Sequence, residues 1–142
     1  MDALQHFLES ARNTFDAFAQ QVSEAELHAA AELIWSAQAE GNRVHVTGIG
    51  KPGHVATYLA SLMSSTGTPT YFLHGTEAVH GSCGQLVPGD VVICVFNSGE
   101  TAEMKATVQA IRRNGCKIIG VTGNRSSWLA SFADTHLFAG VP

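Results

Sequence analysis

Six consecutive apolar residues, Val91–Phe96, run directly into Asn97-Ser98-Gly99-Glu100-Thr101, and no other stretch constrains this chain as much. The run is short, β-branched at its start and without alternation, so it reads as a strand covered on both faces, as in a parallel sheet. Parallel strands need long crossovers, normally helices. The sequence supplies them. Met104, Val108 and Ile111 mark a helix that stops near Gly115, and Lys117–Val121 is the next strand. Upstream, the strand Arg43–Thr47 meets the turn Gly48-Ile49-Gly50-Lys51-Pro52-Gly53, and Val55, Leu59, Leu62, Met63 and Thr66 then carry the helical period. Thr68–Leu73 is a strand followed by a loop with His74, Gly75, Glu77, His80 and Gly81. Ser126–Phe132 is a short helix and Thr135–Phe138 a last strand. This alternation predicts an α/β domain over residues 42–142, doubly wound on a mostly parallel five-stranded sheet.

Residues 1–41 read differently. Leu4, Phe7, Leu8, Ala11, Phe15, Phe18 and Val22 form one helical stripe, and Ser23-Glu24-Ala25-Glu26 matches a capping box opening a second helix through Leu27, Ala30, Ala31, Ile34 and Ala37. The expectation is an N-terminal helical hairpin that packs or assembles. Charge divides at the same boundary: residues 1–40 carry seven carboxylates and one arginine, whereas residues 41–142 are net +2. An acidic hairpin is unsuited to nucleic acid, and the slightly basic remainder suits a small anion. With 45% apolar and 14% charged residues the chain has ample core and is not disordered. No apolar run approaches the ~18 residues of a membrane span, and the acidic start lacks a signal peptide's basic region. Cys83, Cys94 and Cys116 are odd in number and fit free thiols, so the expectation is a cytoplasmic protein away from membranes.

Ligands of open α/β sheets bind beyond the carboxyl ends of the strands. Three such ends here are rich in glycine and hydroxyls: Gly48–Gly53, Asn97–Thr101 and Thr122–Ser127. Each leads into a helix, whose free N–H groups and dipole favour an anion such as a phosphate ester, although glycine and N-capping Ser/Thr also punctuate ordinary strand-to-helix turns. Gly48–Gly53 fits G-x-G-x-x-G, but the acidic ribose partner about 20 residues on is missing, the region reading Thr70-Tyr71-Phe72-Leu73-His74. Nor is there a P-loop, since Pro52 follows Lys51. Dinucleotide and nucleoside triphosphate sites are poor fits.

The stretch from Gly48 to about Val141 resembles the sugar isomerase (SIS) domain, and within it the arabinose-5-phosphate isomerases. The family's G-x-G-K-S-G-H, S-T-G-T-P, H-G-D and S-N-S-G-E-[ST] motifs stand here as Gly48–His54, Ser65–Pro69, His80-Gly81-Ser82 and Phe96–Thr101. The resemblance implies a flavodoxin-like fold and aldose–ketose isomerisation of a phosphorylated sugar through an enediol. His74 and His80 are six apart and could share a metal with Cys83, but no zinc spacing pattern is present, so the expectation is no metal and no cofactor. By motif position the resemblance implies Lys51, Glu103 and His80 as catalytic residues. Gly50, Ser65, Thr66, Asn97, Ser98, Gly99 and Thr101 would bind substrate. A carboxylate suits proton abstraction from carbon, and a cation suits the developing enediolate. Glu103 nonetheless lies in a first helical turn, where the dipole favours any carboxylate. The resemblance also implies a homodimer or homotetramer.

The family pattern is broken at Pro52, Ser82 and Phe96, where it has serine, aspartate and serine. The family also continues beyond the last matching strand with a further carboxylate and a histidine, so the resemblance implies a domain incomplete at its C-terminus and a last strand without its covering helix. A non-catalytic sugar-phosphate-binding module is the alternative reading.

Overall fold

The structure is a computed structural model describing residues 2–141. Two N-terminal helices, α1 (Ala3–Gln21) and α2 (Glu24–Ala39), precede an alternating series: β1 (Val44–Gly48), α3 (Lys51–Ser65), β2 (Thr70–His74), β3 (Val91–Val95), α4 (Ala102–Arg113), β4 (Lys117–Thr122), α5 (Trp128–Phe132) and β5 (Thr135–Phe138). The strands form one sheet in the order β2-β1-β3-β4-β5, every neighbouring pair parallel. This is the doubly wound, flavodoxin-like arrangement, whose winding reverses between β1 and β3. Pro69 has no N–H for a ladder, and β2 begins just after it rather than at Thr68. The loop after β2 is more ordered than its sequence suggests, forming two 3-10 turns, Glu77–His80 and Ser82–Gln85.

Side-chain parity divides the core. Val44, Val46, Val91, Ile93 and Ile119 face Ala30 and Ala37 of α2 and Ala56 and Ala60 of α3. Leu73, Val92, Cys94 and Ile118 face Met104, Val108 and Ile111 of α4, Leu129 of α5 and the 3-10 turns. Small residues on α2 and α3 bring those helices close to the sheet, while long side chains fill the other layer.

The N-terminal region departs from a simple packed hairpin. None of the residues of α1 is buried, and Leu4, Phe7, Leu8 and Phe15 are more than half exposed. α2 instead packs over the sheet and reaches β5, so the last strand is covered in part by a helix from the start of the chain. The capping box is half made. Ser23 Oγ accepts the Glu26 N–H at 3.2 Å, but the Glu26 carboxylate turns away from the helix start to accept from Arg125 Nη1 (2.6 Å) and the Phe138 N–H (3.1 Å). It thereby satisfies a backbone donor on the edge strand β5.

At the opposite, amino-terminal edge a buried polar network ties β1 to the loop before β3. His45 Nε2 lies 3.0 Å from Asp90 Oδ2, and Gln85 Nε2 lies 3.1 Å from His45 Nδ1. Asp90 also accepts the N–H groups of Arg43 and Val87. With the Gln85 amide donating to Nδ1, the imidazole is the neutral Nε2–H form.

Candidate functional site

At the reversal of winding, the turns leaving β1 and β3 enclose a cleft of about 360 Å³ lined by Ile49, Pro52, Phe96, Asn97, Ser98, Thr101 and Glu103. Four sequence candidates, Asn97, Ser98, Thr101 and Glu103, therefore meet in one place. Thr101 is the N-cap of α4 and makes no capping bond, so its exposed hydroxyl and the first N–H groups of the helix are open to a ligand. Ser98 Oγ accepts the Glu100 N–H at 3.3 Å and keeps its own hydrogen to donate. Gly99 is buried beneath this turn at φ +65°, where an added Cβ would lie 2.5 Å from Ser127 Oγ. It shapes the turn from behind rather than lining the cleft.

The third glycine-rich turn is different, because most of its polar groups are already paired within the chain. Thr122 Oγ1 lies 2.8 Å from both the Asn124 carbonyl and His136 Nε2. Asn124 Oδ1 accepts from the Ser126 N–H, and Ser127 caps α5 through the Ala130 N–H. Glu100 accepts the Trp128 N–H at 2.6 Å and pairs with Lys105 at 3.0 Å, and these two bonds hold its carboxyl below the usual range. The start of α5 thus carries the chain's own anion. Of the three turns expected to suit a phosphate, two remain open.

The first turn borders two further spaces. One, of about 390 Å³, is lined by Gly48, Ile49, Gly50, Gly53, His54, Thr57, Phe72, His74 and Thr76. The other, also about 390 Å³ and mostly apolar, runs past Lys51, Pro52, Val55, Val95, Asn97, Val121, Thr122, Gly123 and Ala139. Lys51 is exposed on the first residue of α3 and shares this trough with Asn97 and Pro52, which also line the central cleft. Gly50, at φ +70°, is the N-cap of α3.

Three candidates lie elsewhere. His80 ends the first 3-10 turn, exposed, and lines none of these spaces. Ser65 and Thr66 sit at the far end of α3, a 15-residue helix about 22 Å long. Their hydroxyls donate to the Leu62 carbonyl at 2.8 and 3.0 Å, closing the helix end. Within this chain the structure does not bring them to the cleft, because the helix that begins at the Gly50 turn carries them to the opposite edge of the sheet.

Other residues escaped the sequence reading. Thr76 Oγ1 donates to Glu103 Oε1 at 3.0 Å, and buried Thr107 donates to the Gly75 carbonyl at 2.8 Å. Threonines in a loop and mid-helix carry no motif signal. The thiols offer no nucleophile: burial raises all three, Cys116 to about 11. Among the described residues no three of His, Cys, Asp or Glu are grouped as metal ligands.

A family model described as SIS domain matches residues 39–141. The chain belongs to the SIS domain family. Arabinose 5-phosphate isomerase KdsD of Pseudomonas aeruginosa is 46% identical over 99 residues, covering 70% of this chain and 30% of that enzyme. The Escherichia coli K12 KdsD is 43% identical over 95 residues, covering 67% and 29%. This SIS chain thus spans about 30% of the length of the curated relatives it matches. Among solved structures, E. coli CFT073 c3406 in complex with arabinose 5-phosphate superposes with a TM-score of 0.80 at 37% identity, covering 100% of this chain and 77% of that one. The sugar-phosphate complex belongs to that neighbour; what the two chains share is the SIS fold.

Proposed function

We propose that this chain is the SIS domain of a sugar-phosphate aldose–ketose isomerase acting on arabinose 5-phosphate. The observation that carries the reading is the open start of α4, with Ser98 and Thr101 beside Glu103, at the winding reversal of a chain 46% identical to an arabinose 5-phosphate isomerase. The phosphate ester accepts from the Ser98 and Thr101 hydroxyls and the first α4 N–H groups, with Asn97 beside them. Glu103 is then the base for the carbon acid.

Its carboxylate takes the C2 hydrogen of the open-chain aldose as a proton. The C–H electron pair becomes the C1=C2 double bond, and the carbonyl electrons move to O1, which takes a proton from solvent water to give the enediol. O2 then returns a proton to solvent, its O–H electron pair forms the C2=O2 bond, and the C1=C2 pair takes the proton of the Glu103 carboxylic acid at C1, so the carboxylate is regenerated. Lys51, across Pro52 and Asn97, supplies positive charge toward the enediolate oxygens. His80 enters this reading by motif position only, from an exposed turn outside the clefts of this chain.

The exposed apolar stripe of α1 supports assembly into a homodimer or homotetramer, and no helix among the described residues is long and apolar enough to cross a membrane. We place the protein in the cytoplasm. Turnover of arabinose 5-phosphate to the ketose is the direct test, with formation expected for the native chain and lost in Glu103→Gln. Binding of the sugar phosphate without turnover would instead identify a sensor.

A further inference from the structure

We propose that Thr76 is a positioning residue for Glu103, fixing which carboxylate oxygen faces the substrate; the inference rests on the isomerase reading above. Glu103 and Thr107 are four apart on α4 and present side chains one above the other on one face. They grip two consecutive residues of the loop after β2. Thr107, fully buried, donates to the Gly75 carbonyl at 2.8 Å, and Thr76 Oγ1 donates to Glu103 Oε1 at 3.0 Å.

The loop cannot retreat from this grip. Gly75 is pressed against the β1 turn so closely that a Cβ would lie 2.6 Å from Ile49 Cγ1 and 2.7 Å from the Gly48 carbonyl oxygen. Residue 75 is therefore clamped between the turn that opens α3 and the helix that carries the base, and the next residue's hydroxyl is delivered to Oε1. Oε2 has no protein partner among the described residues and is the oxygen left for the C2 hydrogen. A free glutamate must order several torsions on reaching the transition state, whereas one already held by a hydroxyl has lost that freedom beforehand. The bond neutralises nothing and removes no proton. It orients.

Thr76 lines the cavity with His54 and His74, not the cleft with Ser98 and Thr101, so it stands outside the phosphate-binding group. Its loss should act on the chemical step and spare affinity. The experiment is steady-state turnover of arabinose 5-phosphate by the full chain, its Thr76→Val and Thr76→Ser variants, and the C2-deuterated sugar. Thr76→Val should lower kcat about 10-fold with KM within about twofold and raise the deuterium isotope effect on kcat. Thr76→Ser, which keeps the donor, should stay within about twofold of the native chain.

Unchanged kcat in Thr76→Val, a change confined to KM, or a Ser variant as slow as the Val variant would overturn the positioning role while leaving the isomerase reading intact. If the valine variant melts at a lower temperature, Thr76→Ala provides the same loss of donor without the bulk and is judged by the same criteria. A native chain that produces no ketose overturns the isomerase reading, and the role of Thr76 falls with it.

Discussion

The Glu100 carboxylate accepts the backbone N–H of Trp128 at 2.6 Å, so the chain fills the start of α5 with an anion of its own and leaves the start of α4 open. Two neighbouring helix starts on one sheet edge are thereby given different jobs. Titration with inorganic phosphate, followed by amide chemical shifts, separates them. Shifts are expected at Ala102 and Glu103 and not at Trp128 and Leu129. Equal movement at both helices would show that Glu100 does not occupy the second start. Ser98→Ala should weaken the response at α4 by about 10-fold, the scale of one charge-assisted hydrogen bond.

Glu26 reaches from α2 to Arg125 and to the backbone of Phe138, 112 residues away. Burial alone would raise its carboxyl, but the Phe138 N–H and Arg125 outweigh that and hold it below the usual range. Glu26→Ala should lower the unfolding free energy by about 1 kcal/mol, since both partners remain partly hydrated. It should also speed hydrogen exchange at the Phe138 amide, the edge-strand donor it frees. A variant with native exchange at Phe138 would show that the contact does not hold α2 to β5.

Burial outweighs the Asp90 carboxylate at His45 and holds its imidazole below the ordinary value of 6.5. Desolvation lowers His136 as well. A group whose folded pKa is depressed stays neutral in the native state while the unfolded chain takes up a proton. Stability is therefore fully present above about pH 6.5 and falls as pH drops below it, at up to about 1.4 kcal/mol per pH unit for each histidine. Chemical unfolding at pH 7.5 and pH 5.0 should show this loss. His45→Gln, whatever its effect at pH 7.5, should lose less between the two values, and an undiminished difference would remove His45 from the account.

Much of this fold was legible because parity and period are local properties. Val91–Val95 is buried on both faces, as its uninterrupted apolar run requires, and all five strands and the helices between them fall within a few residues of their expected places. The meeting of Asn97, Ser98, Thr101 and Glu103 was legible too, since one turn carries them all. Long-range partners were not. The third glycine turn reads as an anion site, but Glu100, His136 and Glu26, which occupy Trp128, Thr122 and Arg125 there, come from elsewhere in the chain. The same distance effect turned half of a capping box into a strap across the molecule. The distance of Ser65 and Thr66 from the cleft was not legible for another reason. A motif gives order along the chain, and an intervening helix carried its later residues to the other edge of the sheet.

The central claim is that Glu103 moves a proton between C2 and C1 of a sugar phosphate held at the start of α4. Incubating the chain with arabinose 5-phosphate in D2O and recording NMR spectra tests this most directly. The account predicts a ketose 5-phosphate carrying deuterium at C1, with deuterium returning to C2 of the remaining aldose, and neither product in Glu103→Gln. Protonated sugar recovered unchanged from the native chain, with no label at either carbon, would contradict it.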